Sequence, residues 1–135
     1  MRVIKLDNLA GTERDVQCPQ GGFRSLRGIL ACDGMGFSVH KTIVPPGPPQ
    51  LWHYKHHKEI CYCVSGRGVL IDKESGTEWE ITPDYMYILN DHRAHTFQAK
   101  DEVVLISVFN PPLTGSETHQ LDASYPLLVA GEAQS

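Results

Sequence analysis

The sequence has no cluster of lysine and arginine. Twelve basic residues are scattered among sixteen acidic ones, for a formal charge of −4. Nucleic acid and anionic membrane surfaces are recognised through a basic face, so neither is expected as a partner, and a small solute is. No apolar run approaches the roughly 20 residues that cross a bilayer, and the opening MRVIKLDNLAGTERD has no apolar stretch of the signal-peptide kind. No membrane association and a cytoplasmic location are therefore expected. Cysteine is sparse: Cys18, Cys32, Cys61 and Cys63 read as free thiols in a reducing compartment, and nothing demands a disulfide. There is no internal repeat, no low-complexity segment and no apolar period of 3.6 residues sustained over three turns.

What is present is a series of short β-rich runs: Arg2 to Leu6, Ser25 to Ala31, Phe37 to Val44, Glu59 to Val64, Val69 to Ile71, Glu78 to Ile81, Met86 to Leu89, His95 to Ala99 and Val103 to Asn110. Gly, Pro, Asp and Asn separate them. The pattern predicts an all-β fold, a small barrel or jelly-roll-like sandwich. With 135 residues, 41% of them apolar, one domain can build its own core. That domain is expected over residues 1–130, with an irregular segment after Asn110 packed across it and a frayed tail over 131–135. The clearest hairpin is ICYCV-SGRG-VLI, turning at Gly66 and Gly68, and VPPGPPQ is a stiff loop at a strand end.

The densest chemistry lies in WHYKHHKEICYCVSGRG, residues 52–68, with three histidines, a glutamate, two cysteines and two tyrosines. Alternate residues of a strand share a face, so an inward Glu59 takes Cys61 and Cys63 inward with it. Ile60, Tyr62 and Val64 then face the other way, to pack against a sheet. An inward set that is small and polar suits a ligand cavity better than a solid core. His53, His56, His57 and His92 read as loop or rim histidines. Cys61-x-Cys63 lacks a second cysteine pair for a zinc site.

The spacing Gly47-x5-His53, then Glu59-x6-Gly66, resembles the first cupin motif, G-x5-H-x-H-x3–4-E-x6-G. Tyr54-Lys55 stands where the second histidine should follow. GTEWEITPDYMYILNDHRAH keeps the Gly76 and Pro83 of the second motif, with Tyr85 at its second glycine and Ile88 near its histidine. The chain thus resembles a single cupin barrel whose three-histidine site has been rebuilt. One cupin branch, ectoine synthase, is more similar still. The matching runs are DGMGFSVHKT, HYKHHKE, MYILNDHRAH, VFNPPLTGSETH and SYPL, which cover almost the full length in order.

That resemblance implies an enzyme that closes N-γ-acetyl-L-2,4-diaminobutyrate to ectoine, a compatible solute made under osmotic stress, with loss of water. It also implies one iron(II), for which zinc or another divalent ion can substitute in preparations, and a homodimer. The implied metal ligands are Glu59, Tyr87 and His95. The implied substrate shell is Phe23, Arg27, His40, Thr42, Tyr54, Phe109, Glu117 and His119, with Tyr54, Glu117 and His119 as the acid–base candidates. Phe23 stands where the family has tryptophan and His40 where another polar side chain is usual. His56 replaces the familiar asparagine and Lys58 an apolar residue, so the exact substrate stays open.

These residue types suit the chemistry. A divalent ion held by a carboxylate, a phenolate and an imidazole keeps open positions and acts as a Lewis acid on the acetamide carbonyl. Arg27 offers a planar fork for the substrate carboxylate. Two alternatives remain on sequence grounds: an iron-dependent cupin oxygenase, and a non-catalytic ligand-binding cupin. The strand VVLISVF, apolar on both faces, independently suggests a dimer.

Overall fold

The computed structural model describes residues 1–19, 21–118 and 123–128. Ten strands carry the chain, with two short 3-10 turns at Leu6–Leu9 and Ala31–Asp33. The strands are β1 (Asp15–Gln17), β2 (Arg24–Ile29), β3 (Ser38–Val44), β4 (Gln50–Trp52), β5 (Lys58–Ser65), β6 (Gly68–Asp72), β7 (Glu78–Ile81), β8 (Met86–Leu89), β9 (His95–Ala99) and β10 (Val103–Asn110). They form two antiparallel sheets, ordered β1-β2-β3-β10-β5-β8 and β4-β9-β6-β7. The all-β expectation holds, and β7 to β10 begin and end where the sequence places them. The run Arg2 to Leu6 is not a strand: Met1 and Val3 are fully exposed and Arg2 reaches out to pair with Asp33. The edge position beside β2 is taken instead by β1, pairing Asp15 with Leu26 and Gln17 with Arg24. β4 begins directly after the proline loop.

The turn between β5 and β6 needs glycine at Gly66. Its φ is +84°, and a Cβ there would collide with the backbone carbonyl of Glu102, so both conformation and space exclude a side chain.

The inner face of the large sheet changes character along the strands. β3, β5 and β10 alternate strictly between buried and less buried positions, and register aligns like with like. At one end Val103 faces Val44 and Leu105 lies beside Cys63; at the other Ser107 lies between His40 and Cys61, and Phe109 between Ser38 and Glu59. The apolar end packs into the core with Leu70, Ile81, Ala99 and Phe97, the last stacked on Trp52 at 5.4 Å between centroids. The polar end gathers Ser38, His40, Thr42, Glu59 and Ser107, all buried. The segment after Asn110 packs across that end without strand structure. It is tied down by Leu113 N–H donating to Ser38 Oγ (3.0 Å), by Ala31 N–H donating to the Leu113 carbonyl (2.8 Å), and by His53 N–H donating to the Ala123 carbonyl (2.9 Å). The expected tail over 131–135 lies outside the described residues.

The outer face corrects one expectation. Cys61 and Cys63 are buried as Glu59 is, but Ile60, Tyr62 and Val64 do not pack against a second sheet. They are exposed, together with Met86 and Ile88 on the adjacent β8.

Candidate active site

Strand parity brings Glu59 of β5, Tyr87 of β8 and His95 of β9 into the barrel, and all three are buried. Cys61 pairs with Tyr87 across the β5–β8 ladder, and Glu59 stands two residues along on the same face. The Tyr87 and His95 rings lie 6.5 Å apart between centroids. Four of the five buried side-chain polar atoms that lack a hydrogen-bond partner among the described residues belong to this trio: Glu59 Oε1, the Tyr87 hydroxyl and both nitrogens of His95. The Cys61 thiol is the polar neighbour of the Tyr87 hydroxyl and of the Glu59 carboxylate, with Ser107 also beside the latter. Burial pushes the Glu59 carboxyl up to about 8 and the His95 imidazole down to about 4, and it raises the Tyr87 phenol well above its usual range.

Leaving that many buried polar atoms unpaired costs free energy at each one. A dication at their meeting point would satisfy a carboxylate, a phenol oxygen and an imidazole nitrogen together, so the donor set fits the metal that the sequence implies. Among the described residues no three His, Cys, Asp or Glu side chains converge. The set is complete only when the Tyr87 phenol is counted as a donor.

The other implied residues collect on the polar end of the large sheet. Arg27 is 1% exposed. Its Nε donates to Ser25 Oγ (3.2 Å), its Nη1 donates to the Gly115 carbonyl (2.8 Å), and its guanidinium lies 5.6 Å from the Tyr125 ring centre. Among the described residues no carboxylate is paired with it; its remaining hydrogen bond is to the Tyr125 side chain, which leaves a buried cation held by neutral partners. His40 is fully buried, its Nε2 2.9 Å from Ser38 Oγ and its Nδ1 3.4 Å from Ser25 Oγ. Burial first, then the charge of Arg27, holds it neutral. Thr42 and Ser107 share a hydrogen bond of 3.0 Å. Tyr54 stacks on Tyr125 and meets Phe109 edge-on, while Phe23 packs edge-on against Trp52. Burial raises the Tyr54 phenol well above its usual value, so the hydroxyl keeps its proton.

Glu117, 1% exposed, folds its carboxylate back on its own loop. Oε2 accepts the Thr114 N–H (2.7 Å), and Oε1 accepts the Gly115 N–H (2.8 Å) and the Thr114 hydroxyl (3.1 Å). His119 lies outside the described residues.

Two site residues escaped the sequence reading. His57 is not a rim histidine: it is 2% exposed, edge-on to Phe109 and Tyr125, and its Nδ1 has no partner among the described residues. Its parity with Glu59 was the available signal, because residues 57, 59 and 61 share a face. Tyr125 belongs to the SYPL run, but its place over Arg27 and Tyr54 depends on how the last segment crosses the barrel. The remaining histidines behave as read: His53 Nε2 lies 2.8 Å from the His92 carbonyl, His92 Nδ1 lies 3.0 Å from the Tyr54 carbonyl, and His56 is exposed.

The family profile described as ectoine synthase matches residues 1–129. The chain belongs to the ectoine synthase family. The L-ectoine synthase of Desulfatibacillum aliphaticivorans is 44% identical over 128 residues, covering 95% of this chain and 98% of its own length. The crystal structure of ectoine synthase from P. lautus superimposes with a TM-score of 0.79 at 37% identity, covering 86% of this chain and 82% of that one. The cupin domain of Schizosaccharomyces pombe Cnp3, 13% identical with a TM-score of 0.56 over 66% of this chain, shares the fold alone. Membership makes the protein a hydro-lyase of the ectoine synthase type in a cupin barrel. No helix among the described residues is long and apolar enough to cross a membrane.

Proposed function

We propose that the protein forms ectoine from N-γ-acetyl-L-2,4-diaminobutyrate with a divalent metal, iron(II) in the cell, held by Glu59, Tyr87 and His95. The observation that supports this reading is that three strands each turn inward a buried donor atom without a hydrogen-bond partner among the described residues. When bound, the ion supplies Lewis-acid polarisation of the acetamide carbonyl, with no redox change.

The rest is work for the chain's own side chains. The Arg27 guanidinium, which no described carboxylate pairs, takes the substrate carboxylate, and the neutral His40 and the Thr42 hydroxyl orient the backbone of the bent substrate. In the reaction the α-nitrogen bonds to the acetamide carbon. Its two departing protons leave with the acetamide oxygen as water, and the cyclic amidinium remains. A base must free the nitrogen lone pair and an acid must deliver a proton to the oxygen. Tyr54, Glu117 and His119 are assigned to this traffic, Tyr54 as the hydroxyl that faces the reacting atoms. The buried aromatic side chains of Phe23, Tyr54, Phe109 and Tyr125 keep bulk water from the reacting atoms.

The protein is expected to act in the cytoplasm in response to osmotic stress, and as a homodimer. The exposed outer row of Ile60, Tyr62, Val64, Met86 and Ile88 supports a homodimer, since an apolar patch of that extent on a sheet face marks an interaction surface. Ile60→Glu with Val64→Glu should convert a dimer to a monomer in sedimentation equilibrium. For the activity, protein stripped by chelator and reloaded with iron(II) without oxygen should convert the substrate to ectoine. Strict dependence on oxygen would refute the reading in favour of an oxygenase. Glu59→Gln, Tyr87→Phe and His95→Asn should each lower bound metal per chain.

A further inference from the structure

Arg27 stands at an irregularity in the sheet. Between β2 and β3 the register steps from Arg27 opposite His40 to Ile29 opposite Val39, so Gly28 is an extra residue with no partner on β3. Such a bulge bends the strand, re-aims the side chain beside it and takes backbone groups out of the ladder. One residue takes them up. The Arg14 carbonyl accepts the Arg27 N–H (2.9 Å), and Arg14 Nη1 donates to the Gly28 carbonyl (3.1 Å) and to the Arg27 carbonyl (3.4 Å). Arg14 lies just before β1, where the β1–β2 ladder has ended at the pairing of Asp15 with Leu26.

The same Nη1 donates to Asp33 Oδ2 at 3.2 Å. This ion pair is half-buried, the two side chains being 23% and 9% exposed, so salt screens it less than a surface pair. Asp33 Oδ2 also accepts the Leu30 N–H (2.9 Å), which ties it to the 3-10 turn at Ala31–Asp33. That turn holds the loop beside the site, because the Ala31 N–H donates to the Leu113 carbonyl (2.8 Å). Two residues on, the Gly115 carbonyl accepts Arg27 Nη1 (2.8 Å). A closed circuit therefore runs from the Arg27 backbone through Arg14, Asp33 and the loop to the Arg27 guanidinium.

We propose that Arg14, braced by Asp33, is a positioning residue for the reaction: it holds the bulge at Gly28 so that the Arg27 guanidinium meets the substrate carboxylate in register with the 113–117 loop. Arg14 acts through Arg27 and does not meet the substrate. The inference rests on the assignment of the substrate carboxylate to Arg27. The physical basis is that a planar fork binds a carboxylate through two parallel N–H···O bonds, and a shift of its backbone on the order of 1 Å loses that match.

A double-mutant cycle separates this role from a merely structural one. In full-length, iron(II)-loaded protein acting on N-γ-acetyl-L-2,4-diaminobutyrate without oxygen, Arg14→Met should lower kcat/KM roughly 5- to 30-fold, mostly through KM. In the Arg27→Lys background the same substitution should change kcat/KM by less than about twofold, because the fork it would aim is gone. Arg24→Met is the control. It breaks an ion pair of the same kind on the same sheet edge, Arg24 with Asp15 at 2.6 Å, without touching the peptide of residue 27, and should keep the parent KM. If Arg14→Met shows no cooperative urea transition, Arg14→Lys carries the same comparison with a loss of roughly threefold, since the shorter stem does not bring its ammonium to Asp33 and both carbonyls at once.

Losses of equal size in the parent and Arg27→Lys backgrounds overturn the positioning role, and so does an Arg24→Met enzyme whose KM rises as much as that of Arg14→Met. A parent KM in the Arg14 variants, beside a raised KM in Arg27→Lys, also overturns it and leaves the carboxylate assignment standing. A parent KM in Arg27→Lys overturns that assignment, and the positioning role with it.

Discussion

Replacing Glu117 by glutamine separates two roles that the carboxylate can play. Its oxygens accept three hydrogen bonds, from Thr114 N–H, Gly115 N–H and the Thr114 hydroxyl, and the side chain is buried. Glutamine keeps the size but offers one acceptor oxygen and one NH2. If the oxygen stays toward Gly115, the NH2 meets the Thr114 N–H donor to donor. If the amide flips, the Gly115 N–H is abandoned instead. Either way one buried backbone N–H is left without a partner, at a cost of about 1–3 kcal/mol. That corresponds to a local opening of the loop that is roughly 5- to 150-fold more populated. Native-state hydrogen exchange at the Thr114 and Gly115 amides should speed up by that factor, while the amides of Val103 and Leu105 in β10 keep their parent rates. The substrate constant KM should rise as the loop loosens its hold on Arg27 through the Gly115 carbonyl. Unchanged exchange at both loop amides would refute the positioning argument. If it were accompanied by a loss of kcat at constant KM, the carboxylate would be acting on the reacting atoms directly.

Other outcomes follow from the same geometry. Phe97→Ala deletes a fully buried ring stacked on Trp52 and should cost about 3–5 kcal/mol in urea unfolding without altering metal content per folded chain. Arg27→Lys removes the fork that suits a carboxylate and should lower kcat/KM by about 10- to 100-fold, mostly through KM, in steady-state assays. His40 is held neutral in the folded state, its proton affinity falling below the usual 6.5. The unfolded chain therefore binds a proton below pH 6.5 that the native state refuses, and stability falls as the pH drops through that value. His40→Asn should flatten this slope in urea midpoints measured from pH 7 to pH 4. A slope unchanged by the substitution would place the proton elsewhere, His57 and His95 being the other buried imidazoles, both held down to about 4.

The fold was legible because strand parity and turn residues are local signals. Glu59, Cys61 and Cys63 alternate inward in the structure as they do on paper, and the strict alternation of β10 is visible in Val103 to Asn110. The illegible parts are those decided by partners far along the chain. Arg2 to Leu6 has the composition of a strand but pairs with no described strand of this chain, and the edge beside β2 is taken by β1. Gln50–Trp52 is too short to show alternation and is a strand only because β9 lies beside it. Ile60, Tyr62 and Val64 have the apolar character of a packed face, yet they are exposed among the described residues. In the site, spacing alone offered Glu59 as an inward residue, while Tyr87 and His95 were placed by the family resemblance. The capping of the 114–117 loop by Glu117 and the seating of Tyr125 over Arg27 arise from the path of an irregular segment, which no periodicity encodes.

The change of character along β3, β5 and β10 has a consequence for how the protein can change. Because the apolar ends of these strands do the packing, the polar ends form a patch whose members, His40, Thr42 and Ser107, sit side by side on a sheet held in place from below. Such a patch can be rewritten as a set, with substitutions at all three positions together, while register and core stay as they are. A combinatorial library at these three positions is the natural starting point for moving the enzyme to longer or branched acyl-diamino acids. His40 and Ser107 pair directly across the β3–β10 ladder, so such a library would explore one contiguous wall.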